Sequence, residues 1–189
     1  MKLLLHTCCG PCSIYPVTQL RNDGIDVHGY FYNPNIHPYR EFKKRIQGVE
    51  QFAQISHLSV DIESRYGLTE YLRKVVFHEQ ERCPLCYAMR LDPAARKARE
   101  RGDDAFSTTL LYSRYQDHDC IRKICENLAR KYQVDFYYQD FRKGWQEGID
   151  RSLEMELYRQ PYCGCIYSEQ ERYDKGSRKS IQKLNLSSS

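Results

Sequence analysis

Short apolar runs alternate with stretches of helical spacing along most of the chain. The runs at Lys2 to Leu5, Val27 to Tyr32, Leu58 to Ile62, Ala105 to Leu111 and Val134 to Tyr138 are of strand length. Between them, Ser13 to Asn22, Arg40 to Gln54, Leu68 to His78, Pro84 to Arg101 and His118 to Tyr132 have helical spacing. Asp23-Gly24 and Arg101-Gly102 mark helix exits, because glycine tolerates the left-handed conformation that ends a helix. This alternation predicts an open parallel sheet with crossover helices on both faces, a single α/β domain. Phe141 to Tyr158 reads as a further helix, and Pro161 opens an irregular stretch. The expected organisation is one domain over residues 1–173, carrying the candidate chemistry, and a C-terminal tail over 174–189.

In an open α/β sheet, ligands bind in the crevice at the carboxyl ends of the strands. That topology gathers residues far apart in sequence. Cys8 and Cys9 follow the first strand and Asn33-Pro34-Asn35 the second; Asp61 ends the third, Thr108 and Thr109 lie in the fourth, and Asp140 follows the fifth. Composition narrows the partners only slightly. With 189 residues, 41% of them hydrophobic, the chain can bury one substantial core and little more. A net charge of +4 and sixteen tyrosines are compatible with a nucleic acid, as they are with an ordinary small enzyme. Leu3 to Leu5 is cut short by His6, too brief for a secretory signal, and no stretch is long enough to span a bilayer. A cytoplasmic protein without a membrane partner is expected.

Cysteine changes the picture. Three tight groups, Cys8/Cys9/Cys12, Cys83/Cys86 and Cys163/Cys165, hold seven of the nine. In a reducing compartment an odd number of clustered thiols points to metal ligands or catalytic groups rather than a disulfide framework. Cys83-Pro-Leu-Cys86 has the spacing that turns two sulfurs toward one metal, and Tyr87, in place of histidine, excludes haem attachment. Cys8 and Cys9 would supply the rest. Adjacent side chains in extended backbone diverge, which suits two irons of a cluster better than one tetrahedral zinc. Cys163-Gly164-Cys165 would close a small, strained and easily reduced ring, usable as a two-electron store; a metal-binding pair or two free thiols is the alternative. Cys12 is either a further ligand or a first-turn helix residue, and Cys120 and Cys125 read as packing. His6 and His118 fall near the expected crevice, and His37 is placed to touch a ligand with Asn33 and Asn35. Asp117-His118-Asp119 offers a proton donor or a helix N-cap.

Five motifs, His6-Thr-Cys-Cys-Gly-Pro-Cys12, Tyr32-Asn-Pro-Asn-Ile-His-Pro38, Cys83-Pro-Leu-Cys86-Tyr87, Tyr115-Gln-Asp-His-Asp119 and Tyr158-Arg-Gln-Pro-Tyr-Cys-Gly-Cys165, occur in this order. Together they resemble the cobalamin-independent epoxyqueuosine reductase family, the QueH type. The resemblance implies a HUP-like (adenine nucleotide alpha hydrolase-like) fold. It also implies reduction of epoxyqueuosine, at the wobble position of the tRNA anticodon, to queuosine, the last step of queuosine biosynthesis. Carried onto this chain, Cys8, Cys9, Cys83 and Cys86 would hold a 4Fe-4S cluster, and Cys163 and Cys165 would be the redox-active pair. Relatives are expected to carry a second, mononuclear iron beside a carboxylate. No Asp or Glu occurs between His6 and Arg21, which leaves Cys12 as the candidate ligand for such an auxiliary iron. The implied partners are tRNA bearing epoxyqueuosine and an electron donor. Asp117, His118 and Tyr15 are candidate acids, and Arg96, Lys97, Arg99, Arg172 and Lys175 candidate tRNA contacts.

Two other functions compete. A zinc-stabilised RNA-binding module explains Cys8, Cys9, Cys83 and Cys86 but leaves Cys163 and Cys165 without a purpose. A tRNA thiolation enzyme of the same fold needs a loop of backbone amides to cradle pyrophosphate, and His6 to Cys12 offers one glycine, Gly10, among thiols.

Overall fold

The structure, a computed structural model, describes residues 1–174 and 176. Strands β1 (Lys2–His6), β2 (Asp26–Phe31), β3 (Val60–Ile62), β4 (Ala105–Thr108) and β5 (Asp135–Phe136) pair in parallel in the order β3-β2-β1-β4-β5. The helices are α1 (Gly10–Asn22), α2 (Tyr39–Ser56), α3 (Leu68–Val75), α4 (Arg82–Arg101), α5 (His118–Tyr132), α6 (Trp145–Glu154) and α7 (Ile166–Tyr173). Helix α1 packs on α2 and α6, whereas α4 packs on α3 and α5 and lies against β1 and β4. The chain winds from β1 through α1 and α2 to β3, then returns through α4 to β4. Right-handed crossovers place α4 on the face opposite α1 and α2. Both faces of the central strand are therefore covered, and Leu3, Leu4 and Leu5 are all fully buried. This is the open α/β architecture expected, and the direction of winding reverses between β1 and β4, where such sheets open their crevice.

Individual boundaries differ from the sequence pattern for local reasons. Strand β4 stops at Thr108 because the Thr108 hydroxyl accepts from the Leu110 amide at 3.1 Å and starts a 3-10 turn over Thr109–Tyr112. The segment read as one helix over Phe141 to Tyr158 is a 3-10 turn, Phe141–Gly144, followed by α6. The tight contact at Gly144, where a Cβ would collide with the Tyr15 ring, marks that break. Helix α4 begins at Arg82, two residues before the expected Pro84, so Cys83 and Cys86 stand in its opening turns, three residues apart on one face. Gly10, the one glycine of the first loop, is committed to packing: a Cβ there would collide with the Gly48 carbonyl of α2. Of the expected tail over 174–189, Asp174 and Gly176 are described; the rest, with Lys175, lies outside the described residues. No helix among the described residues is long and apolar enough to cross a membrane.

Candidate functional site

The loop that leaves β1 is held by a buried histidine. His6 Nε2 lies 3.2 Å from the Tyr32 carbonyl and Nδ1 2.9 Å from the Thr108 hydroxyl, tying β1 to β4 and to the end of β2. Burial, with the Arg90 guanidinium nearby, lowers its pKa to about 3, so the ring is neutral. A carbonyl can only accept; Nε2 therefore carries the proton and Nδ1 accepts from Thr108. His6 is a strut of the crevice floor, with both ring nitrogens already engaged.

Beyond it, the Cys8 amide donates to Thr109 Oγ1 at 3.0 Å and Cys9 caps α1, its sulfur accepting from the Cys12 amide at 3.4 Å. The chain bends here. The Cys8 and Cys9 sulfurs, expected to diverge, sit 3.8 Å apart, and with Cys12 all three lie within 4.8 Å of one another. Cys12 is thus both a first-turn residue and a member of the sulfur group. The Cys8 thiol is pulled well below its ordinary pKa by bonds from Cys12 and Cys9, with help from Arg90. Cys9 is pushed up by burial, and Cys12 by its bond to Cys8. Gln160 Nε2, from the 160s loop, donates to Cys9 Sγ at 2.9 Å and to Cys12 Sγ at 3.3 Å.

A cavity of about 750 Å³ opens above this triad, lined by Cys8, Cys12, Cys83, Cys163 and Cys165. A smaller pocket beside it is lined by Cys83, Cys86, Cys163 and Cys165 together. Burial pushes the Cys86 thiol up to about 11. Arg90 reaches toward Cys86, 4.0 Å away, while its Nε donates to Asn33 Oδ1 at 2.9 Å; Asn33 in turn donates to the Thr7 carbonyl. One buried cation therefore stands between the sulfur groups of β1 and α4.

Cys163 and Cys165 are free thiols 3.9 Å apart, joined through Gly164 at φ +132°, a conformation few side chains tolerate. A Cβ on Gly164 would also press on Arg45 and Asn35 at 3.1 and 3.2 Å. Cys165 is the N-cap of α7, and its pKa falls to about 5 through a bond from Cys163 and further bonds from Ser168. Cys163 is pushed well up by the same bond and burial, and its thiol lies 3.0 Å from Ser168 Oγ. The pair is poised as thiolate and thiol. Arg45 pins the loop: it donates to the Tyr162 and Cys163 carbonyls, each at 2.8 Å, and to Glu41 at 2.8 Å.

Other expectations fall elsewhere. Asp117 caps α5, accepting from the Cys120 amide at 3.0 Å, and His118 Nε2 is 3.2 Å from the Ser113 carbonyl. Neither these two nor Tyr15, which packs against Tyr112 and Gly144, line the cavity. Arg96, Lys97 and Arg99 lie toward the far end of α4. Arg99 is sixteen residues beyond Cys83, about 24 Å at 1.5 Å per residue. Lys97 is 2.9 Å from Asp61. The cations that line the cavity are Arg45, Arg82, Arg90, Arg159 and Arg172, of which Arg172 alone was expected. The missed residues left a faint signal: Arg45 and Arg90 break apolar stripes, Phe42/Ile46/Val49 and Tyr87/Leu91/Ala94, at positions a core would fill.

The family model described as epoxyqueuosine reductase QueH matches residues 3–171. The epoxyqueuosine reductase QueH of Dehalococcoides mccartyi is 37% identical over 92% of this chain and 96% of its own length. That of Thermotoga maritima is 38% identical over 92% and 93%. Among solved structures, a predicted subunit of tRNA methyltransferase from Methanocaldococcus jannaschii superposes with a TM-score of 0.55 over 82% of this chain and 75% of its own. At 14% identity it supports the fold alone. With the match running from β1 through the Cys163/Cys165 loop, the chain belongs to the epoxyqueuosine reductase QueH family.

Proposed function

We propose that this protein reduces the epoxide of epoxyqueuosine in tRNA to the alkene of queuosine. The observation that carries the reading, beside family membership, is that thiols from three distant segments line one cavity. Removing an epoxide oxygen takes two electrons and two protons. A dithiol that closes to a disulfide releases that number of each, so epoxide and two thiols balance against alkene, disulfide and water. Cys163 and Cys165, 3.9 Å apart at the wall, are the pair for this exchange. Cys165 supplies the thiolate and Cys163 one proton, the second proton comes from solvent, and Arg45 keeps the loop in place.

The remaining donors suit a soft metal. The donor atoms of Cys8, Cys9, Cys12, Cys83 and Cys86 are sulfur, which fits iron–sulfur and zinc and disfavours magnesium or calcium; Glu171, which also lines the cavity, is paired with Arg82. Cys8, Cys9, Cys83 and Cys86 are the residues we assign to a 4Fe-4S cluster, with Cys12 available to an auxiliary iron. Bound there, iron supplies electron transfer and a Lewis acid for the departing oxygen. The neutral His6 and the Arg90 guanidinium keep the sulfur-bearing ends of β1 and α4 in register.

The test is anaerobic purification, reconstitution with iron and sulfide, and mass spectrometry of epoxyqueuosine tRNA with a chemical reductant. Iron-dependent loss of one oxygen is expected, and Cys163→Ser should abolish turnover while keeping the visible absorption. A colourless zinc protein, or an intact cluster that leaves verified substrate unchanged, would refute the assignment.

A further inference from the structure

Within the Tyr115–Asp119 motif, Asp117 caps α5 and His118 faces Ser113. Its first residue is conspicuous. Tyr115 is 84% exposed, yet its ring lies at the cavity rim, in edge-to-face contact with Trp145 at 5.8 Å and 78°. Trp145 is fixed from behind. Tyr112 stacks on it at 5.2 Å and 26° and donates its hydroxyl to the Trp145 carbonyl at 2.9 Å. Arg114 lies 5.6 Å from the same indole. Tyr115 therefore offers an open aromatic face on a rigid support, next to the Gln116 side chain, which lines both the cavity and the smaller pocket.

Charge points to the class of ligand. Among the described residues, five arginines line the cavity against one acid, Glu171, which pairs with Arg82. Arg159 and Arg172 form no ion pair among the described residues. A flat ring on a cationic rim is the recognition chemistry of an unstacked RNA base: the ring takes the base face, the guanidinium groups take phosphate. The cavity volume lies within the ~300–1,000 Å³ of small-molecule sites, so a nucleoside fits but a duplex does not.

We infer that the mouth of the cavity is a single-stranded RNA subsite in which a nucleobase stacks on Tyr115, backed by Trp145. The identity of the RNA, an anticodon loop, rests on the function proposed above; the stacking itself does not. Tyr115 and the thiols line one cavity, so the subsite would hold the base while its epoxide side chain extends toward the sulfurs.

Trp145 is the single tryptophan of the chain and reports directly. The full-length anaerobic protein is titrated with an anticodon stem-loop RNA while tryptophan emission is read, and KM and kcat are measured on epoxyqueuosine tRNA. Saturable quenching of Trp145 is expected. Tyr115→Ala should raise Kd and KM by about 5- to 150-fold, the range of one stacked base, with kcat changed far less. Tyr115→Phe should restore wild-type values, since the ring face and not the hydroxyl is the contact. Tyr115 is exposed enough that its loss does not unfold the protein. Kd and KM of Tyr115→Ala within twofold of wild type, or Trp145 emission indifferent to RNA, overturns the subsite. Quenching without epoxide reduction would instead leave the subsite standing and remove the reaction.

Discussion

Arg45 makes the most demanding test of how the redox loop is held. Its guanidinium is 2% exposed and donates three hydrogen bonds of 2.8 Å, to Glu41 and to the Tyr162 and Cys163 carbonyls. Each bond to a charged group contributes about 1.5–3 kcal/mol, but the larger effect is one-sided removal of a buried ion pair, about 3–5 kcal/mol. Arg45→Met leaves the 7% exposed Glu41 carboxylate with the Tyr158 hydroxyl as its remaining partner. Stability should fall by about 3–5 kcal/mol, a large part of the ~5–15 kcal/mol total of an ordinary domain. Arg45→Met with Glu41→Gln removes both charges and should recover part of that loss. Arg45→Lys keeps the charge but lacks the planar fork, so it should retain most stability while releasing the Cys163 carbonyl. The assay is urea unfolding of the anaerobic protein, with alkylation of Cys163 followed by mass spectrometry. Faster alkylation is expected in Arg45→Met and Arg45→Lys alike. A stability change under 1 kcal/mol for Arg45→Met, with unchanged alkylation, would refute the reasoning.

Three further outcomes follow from single contacts. His37 is 1% exposed and lowered by burial to about 4, so it stays neutral when folded but protonates near 6.5 when unfolded. Its contribution is complete above 6.5 and lost as pH falls toward 4, at about 1.4 kcal/mol per pH unit. The drop in stability between pH 7 and 5 should therefore be about 2 kcal/mol smaller in His37→Phe, and parallel pH curves for the two proteins would contradict this. Gln160→Leu removes the amide that bonds Cys9 and Cys12, and should weaken cobalt(II) binding by about 10- to 100-fold in a chelator competition; equal affinity would make the amide incidental. Gly148→Ala drives a methyl into the Tyr112 hydroxyl, so it should cost about 1–3 kcal/mol and shift the Trp145 emission, whereas an unchanged spectrum would mean the wall yields.

The short buried strands and the helices between them were legible because a sheet covered on both faces demands continuous apolar runs, and Leu3 to Leu5 is one. The pairing of the cysteines was also legible, since spacing alone brings Cys83 and Cys86 onto one helical face and Cys163 and Cys165 around a glycine. Topology also announced that these groups meet at the crevice. The bend after β1 that brings Cys8, Cys9 and Cys12 together was not legible: it depends on the local Cys9 cap and on the Cys8 contact with Thr109, which couples residues a hundred positions apart. Charge is visible in sequence, but the end of a helix that meets the cavity is not: Arg96, Lys97 and Arg99 lie at the end of α4 away from it, whereas Arg82 and Arg90 line it. Periodicity and local spacing were enough to set the sheet, its crossovers and the grouping of the thiols. The contacts that Arg45, Arg90 and Gln160 make with the thiol-bearing segments came from the fold alone. A buried cation or amide acts through partners brought to it by the fold, and no local pattern names them.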